Sequence, residues 1–350
     1  MPFPLDDYEF TYPTTRSWVA GDWGFGREPV LRRLPDGSLI SLIYSGGPTE
    51  PHDENVVLAV HSTDDGATWT APEVLFRHAV RGVWATEIFT AADPALLFLH
   101  TLDAGSHYLE LTTFVSHAVD GGRAWSEPAS LPGPFATVIV RQGVVLRDGA
   151  WLLPVYWQEA PSGFHWEKPD KRYRPHAGWR FRSGVLRSTD RGATWSAHGR
   201  IAADVNLWEP NVVETAPGHL VMLLRAEGQP VKFRADSADG GLTWSAPRPT
   251  DIPDANSKIT LLQHGDAVIM LHNPSGTPGW HNRTSLELWV SRDGCQTWPV
   301  RRVLARTTKP GPVICYPHGF VESQRGRLCL MLDGVKAHYY LTVPLADLAG

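Results

Sequence analysis

The chain has 350 residues, 42% of them hydrophobic and 20% charged, with a formal net charge of -5. This is enough apolar content for a large core, and the mild negative charge without long basic runs removes the electrostatic case for nucleic-acid binding. No apolar run approaches about 18 residues, so no membrane span is expected.

The opening Met1–Tyr8 carries neither a basic n-region nor an apolar h-region, which makes the cytoplasm the default compartment. From Val30 the chain reads as short β-rich runs separated by tight turns. Val30–Leu34, the Pro35-Asp36-Gly37 turn and Ser38–Tyr44 form the first unit. The loop Ser45–Asn55 follows, then a strand Asn55–His61. The same grammar returns at Gly143–Val155, Val212–Leu224, Ile259–His272 and Phe320–Leu332, each around a turn rich in Gly, Pro or Asp. No segment sustains a 3.6-residue apolar period over three turns, so the fold class is all-β.

One turn recurs along the whole chain. Ser62-Thr-Asp64-Asp-Gly66-Ala-Thr-Trp69 reappears as Ser188–Trp195 and Ser237–Trp244. In two worn copies Ala118 stands for the serine before Asp120 and Trp125, and Cys295 stands for the glycine between Asp293 and Trp298. The chemistry is that of a tight hairpin: Asp and Ser bond nearby backbone N–H groups, Gly takes positive φ, and Trp folds back as an apolar cover. A spacing of roughly 50–70 residues means a propeller, solenoid or array. Five copies with strands at both ends fit a single domain, a β-propeller of six four-stranded blades closed by pairing the N- and C-terminal strands. Seven blades of about 50 residues each would also fit. The segment Gln158–Arg182, aromatic and Pro-rich without a strand pattern, reads as an inserted loop at the rim.

These turns resemble the Asp-box (BNR repeat) of the sialidase-like, or neuraminidase, family, and the resemblance implies a six-bladed propeller. It extends to a site. Members hold a substrate carboxylate with three arginines and use a tyrosine nucleophile backed by a glutamate, with an aspartate on a loop as acid/base. Arg27-Glu28-Pro29 is similar to the family's Arg-Ile-Pro, Glu209 in Trp208-Glu209-Pro210 to its glutamate, and Arg225 and Arg283 to its later arginines. Tyr316 in Cys315-Tyr316-Pro317 stands in the tyrosine neighbourhood. The acid/base lies in Ser45–Asn55, where Asp53, His52 and Glu50 are the candidates; Asp53 is favoured and His52 competes as a natural proton carrier. Glu50 and Trp208 join the arginines as candidate substrate contacts.

A guanidinium fork matches a carboxylate bidentately and stays charged, so three of them would select an acidic saccharide. The phenol of tyrosine needs a base, and a nucleophile without charge avoids repelling the substrate anion. The resemblance therefore implies an exo-acting glycoside hydrolase of sialidase type acting on a terminal carboxylate-bearing sugar. Two other readings stay open: a propeller glycosidase or polysaccharide lyase acting on a uronate-containing saccharide, with His52 as acid/base, and a non-catalytic carbohydrate-binding propeller. No cofactor is called for. His165, His176, His281 and His318 lack metal-ligand spacing and are expected as rim residues, and Cys295, Cys315 and Cys329 as buried free thiols.

Overall fold

A computed structural model of the protein describes residues 2–103, 111–131, 135–159 and 180–349. Six antiparallel sheets follow one another along the chain. The first blade is Gly26–Arg33, Leu39–Ser45, Val56–Ser62 and Glu73–Phe76 in that order. The second runs Gly82–Phe89, Leu96–Leu102 and Thr112–Val119, whose outer edge carries Ala124–Trp125 and Ala129–Ser130. In the third, Ile139–Val140 and Val144–Val145 share the inner edge before Trp151–Glu159, Arg180–Ser188 and Ser196–Ile201. Leu207–Ala216, His219–Ala226, Val231–Ser237 and Arg248–Pro253 make the fourth.

The fifth blade, Thr260–His264 to Val300–Thr307, gains the N-terminal hairpin Phe3–Leu5/Tyr8–Phe10 on its outer edge. In the sixth, Cys315–Glu322, Arg327–Asp333 and Ala337–Pro344 are completed by Thr14–Val19 from the other end of the chain. The hairpin ties the two blades together. Tyr8 and Phe10 are buried in a cluster with Leu271, Leu286, Leu330 and Tyr339, and the Tyr8 hydroxyl donates to the carbonyl of Val313 at 2.9 Å. Burying each such aliphatic side chain contributes about 1.5–3 kcal/mol relative to exposure.

The box turns join the third and fourth strands of blades one to five. In blade one Ser62 Oγ takes the N–H of Gly66 at 2.8 Å, Asp64 Oδ1 takes that of Thr68 at 2.9 Å, and Trp69 Nε1 reaches the Gly66 carbonyl at 3.2 Å. The same serine and aspartate bonds recur at Ser188/Asp190, Ser237/Asp239 and Ser291/Asp293. Cys295 adopts φ +62 where the other copies have glycine. The sixth blade has no third-to-fourth turn to build, because its fourth strand comes from the N-terminus, and so there are five boxes. The three cysteines are free and buried.

Most of Gln158–Arg182 lies outside the described residues; its ends, Gln158–Glu159 and Arg180–Arg182, are strand in the third blade. His165 and His176 also lie outside the described residues. His318 corrects the expectation of a rim histidine. It is 3% exposed and its Nδ1 accepts the N–H of Leu31 at 3.0 Å, beside the bidentate Arg32–Glu87 pair at 2.7 and 2.9 Å. Among the described residues no helix is long and apolar enough to cross a membrane.

Candidate active site

The site is built by one device used three times. The inner strands of blades one, four and six each carry a register shift near their start: between Arg27 and Val30, between Trp208 and Asn211, and between Cys315 and His318. Each shift holds a residue–proline pair, and the residue before proline takes a positive φ: Glu28 at +45°, Glu209 at +50° and Tyr316 at +43°. Residues before proline ordinarily favour extended backbone, and a non-glycine residue at positive φ stores strain of order 1–3 kcal/mol. Bulges of this kind re-aim side chains.

These side chains and the arginines meet. Arg225 Nη1 donates to Glu209 Oε2 at 3.1 Å and to Tyr316 Oη at 3.2 Å. Its Nε donates to Asn256 Oδ1 at 2.5 Å, and its guanidinium lies 4.6 Å from the Trp208 ring centroid. Arg283, 3% exposed, donates from Nη2 to the carbonyl of the same Asn256 and faces the Tyr316 ring at 5.1 Å. Arg27 and Arg283 share the indole of Trp280, at 4.2 and 4.6 Å from its centroid. The three arginines thus share aromatic or amide partners in one cluster. Tyr316 and Glu209 are joined through Arg225; the described residues show no direct hydrogen bond between them.

Burial and neighbouring charge together set the titration of each group. Burial pushes the Glu209 carboxyl up, but Arg225, Arg141 and Arg283 outweigh it, and the net shift is downward. Burial and the Glu209 charge push the Tyr316 phenol up to about 12, against Arg283 and Arg225. On the mouth loop, Arg27 Nε donates to Glu50 Oε2 at 3.0 Å. Desolvation raises the Glu50 carboxyl to about 7 against the pull of Arg27, with Glu28 and Asp333 adding to the rise. The Glu50 side chain keeps 37% exposure, so solvent from the open side tempers that shift.

The remaining candidates are His52, Asp53 and Trp208. His52 is engaged with its own turn: Nδ1 accepts the Glu54 N–H at 3.2 Å, and the backbone N–H donates to Asn55 Oδ1 at 2.5 Å. Asp53 is half-buried on the same turn. Trp208 serves as a platform for Arg225 and packs on Phe181 with centroids 4.9 Å apart. Among the described residues no group of His, Cys, Asp and Glu could hold a metal ion.

Four more residues complete the site. Arg141 Nη1 pairs with Glu28 Oε2 at 3.0 Å in the buried floor, so the acidic residue beside Arg27 is neutralised. Asn256, at φ +60, orients two arginines at once. Trp280 is the wall between Arg27 and Arg283. Lys258, 2% exposed, lies with Nζ 5.5 Å from the Tyr316 ring centroid. A signal for the floor was present in the repeated residue–proline pairs at Glu28, Glu209 and Tyr316; Arg141 and Lys258 carry no motif.

The model of the BNR repeat-like domain matches residues 37–328. The chain belongs to this BNR repeat-like family. It is 26% identical over 319 residues to a sialidase of Micromonospora viridifaciens, covering 81% of this chain and 47% of that protein. A sialidase of Bacteroides fragilis is 24% identical over 200 residues, covering 53% of this chain and 33% of that one. The chain thus spans less than half the length of either sialidase. The fold is similar to that of the Hadza microbial sialidase Hz136, with a TM-score of 0.74 at 17% identity over 95% of this chain and 68% of that one. The protein is a sialidase-like six-bladed propeller.

Proposed function

We propose that this propeller is an exo-acting glycoside hydrolase that removes a terminal carboxylate-bearing sugar, sialic acid or a related acidic sugar. The observation that carries this reading is the meeting of Arg27, Arg225 and Arg283 around Tyr316 and Glu209. Arg283 has Nε and Nη1 without a protein partner among the described residues, as a guanidinium awaiting a carboxylate would.

In this reading Tyr316 attacks the anomeric carbon and Glu209 takes the phenolic proton. At rest the phenol is too weak an acid, and Glu209, surrounded by arginines, too weak a base. A substrate carboxylate changes the second condition. It engages the arginines that depress Glu209 and places a negative charge nearby, so the carboxyl becomes more basic when the proton must leave. The uncharged phenol meets the substrate anion without repulsion, in keeping with sialidases as the tyrosine exception among retaining glycosidases.

The loop Ser45–Asn55 supplies the acid that protonates the leaving group. Glu50, raised to about 7, has the titration that a general acid needs near neutral pH, and Asp53 and His52 stand on the same loop. The test is aglycone release from aryl glycosides of sialic acid and of uronic acids. Turnover of an aryl sialoside that Tyr316→Phe abolishes supports the reading. Turnover of uronosides alone favours the uronate reading, and oligosaccharide binding with no turnover favours a binding propeller.

A further inference from the structure

Two lysines are buried in different ways, one on the fourth blade and one on the link from it to the fifth. Lys232, fully buried, donates to Asp254 Oδ1 at 2.7 Å and to the carbonyl of Ser257. That is a structural solution to burying an ammonium: a carboxylate and a carbonyl take its protons. It also locks the loop Asp254–Lys258, in which Ser257 N–H donates to Asp254 Oδ1 at 3.1 Å.

Lys258, at the end of that locked loop, is 2% exposed, and among the described residues its ammonium has no hydrogen-bond acceptor and no ion pair. The ammonium stands over the Tyr316 ring at 5.5 Å from its centroid, within cation–π range. The carboxylates whose charges reach it are committed elsewhere. Glu28 is held by Arg141 and Glu209 by Arg225, and Asp333 accepts the backbone N–H groups of Val335 and Glu28 at 2.7 and 3.3 Å. The locked loop between the fourth and fifth blades thus presents an unpartnered cation to the floor of the site.

We propose that Lys258 is a substrate-binding residue, donating a hydrogen bond to an acceptor oxygen of the sugar other than the carboxylate held by the arginines. The inference rests on the acidic-sugar reading and narrows it. The face of the sugar turned toward the propeller axis must carry a hydroxyl or oxyanion, and an apolar substituent there is rejected because it would leave the ammonium unpaired. Burial and Arg141 hold the ammonium down at about 8, against Glu28, Glu209 and Asp333. Affinity that depends on the charged form therefore falls as pH rises through that value. Tyr316 also faces the ammonium, and His318 and His338 lie within its field.

The test is calorimetric binding of two probes, the 2,3-unsaturated glycal of sialic acid and a 4,5-unsaturated uronic acid, to wild type, Lys258→Met and Arg283→Met at pH 7 and 9. For wild type the affinity for a bound probe falls about tenfold between the two pH values, as expected of a group with a pKa near 8. In Lys258→Met the affinity at pH 7 falls about 10–100-fold, as for a lost charge-assisted hydrogen bond, and the pH dependence disappears. Glu50 titrates in the same window, so the series is repeated in Glu50→Gln, where the Lys258-dependent drop persists. Deoxy analogues of the bound probe identify the oxygen, since one of them binds wild type as weakly as the parent probe binds Lys258→Met.

Because Lys258→Met removes an unpaired buried charge, its Tm equals or exceeds that of wild type. Binding of both probes unchanged in Lys258→Met but lost in Arg283→Met overturns the role of Lys258 alone. A Tm well below wild type with the pH dependence intact also overturns it, by assigning the lysine to structure. Neither probe binding wild type overturns the acidic-sugar reading and this inference with it.

Discussion

Glutamine at position 209 is the most informative single change. Glu209 is 4% exposed, sits at φ +50 before Pro210, and faces Arg225, Arg141 and Arg283. Glu209→Gln keeps the shape, and its amide oxygen still accepts from Arg225 Nη1, so the fold survives while the base and one negative charge are lost. A positioned general base contributes 10²–10⁴-fold, which at 1.36 kcal/mol per decade is about 3–5 kcal/mol of transition-state stabilisation.

The split between parameters is also fixed. With one fewer anion among the arginines, acidic-sugar affinity holds or rises, so the loss falls on kcat and not on KM. Stability gives a second readout. The Glu209 carboxyl is lowered in the fold, so its stabilising contribution is present above the ordinary carboxylate value of about 4.3 and is lost as pH falls through the folded value. Melting curves between pH 3 and 7 therefore show wild type losing more Tm on acidification than Glu209→Gln. Initial rates on an aryl sialoside complete the assay. A Glu209→Gln enzyme within tenfold of wild-type kcat at unchanged affinity would refute the base assignment.

Three further outcomes are expected. Glu50→Gln abolishes the fall in kcat as pH rises through about 7, because the proton it removes is the one that limb titrates; it also raises Tm at pH 9 relative to wild type, since a carboxyl raised in the fold favours folding below its unfolded value and loses that contribution as pH rises through the folded one. Arg32→Met leaves Glu87 buried without the guanidinium that bonds both its oxygens and costs about 3–5 kcal/mol by denaturant melts, and a second change, Glu87→Met, recovers most of it. Ser237→Ala strands the buried N–H of Gly241, which Ser237 Oγ accepts at 2.9 Å, and costs about 1–3 kcal/mol with kcat per folded molecule unchanged.

The blades were legible in the sequence because each box is a local device. Ser62, Asp64, Gly66 and Trp69 satisfy one another within eight residues, so the turn is written contiguously and can be counted. The strands began earlier than their apolar patterns suggested, at Gly26, Leu207 and Cys315. The cause is the residue–proline bulge that interrupts the alternation just where the site is built.

The arginines, Glu209 and Tyr316 were readable only by resemblance, since nothing in their spacing says that blades one, four, five and six bring them together. Lys258 and Arg141 had no such guide. Their burial, and the pairing of Arg141 with Glu28, arise when the ring of blades closes, and an isolated lysine before a strand looks like a surface residue. His318 misled for the same reason: it follows Pro317 at the mouth end of an inner strand, yet the closing of blade six on blade one buries it against Leu31 and Arg32.

The central claim is that Tyr316, activated by Glu209 and surrounded by three arginines, becomes covalently bonded to an acidic sugar. The measurement that tests it most directly is intact-protein and peptide mass spectrometry after incubation with a 2,3-difluorinated sialyl fluoride, which slows breakdown of a glycosyl–enzyme bond. The account predicts one added sugar per chain, mapped to Tyr316 and absent from Tyr316→Phe. An adduct on another residue, or none while wild type turns over an aryl sialoside, would contradict it.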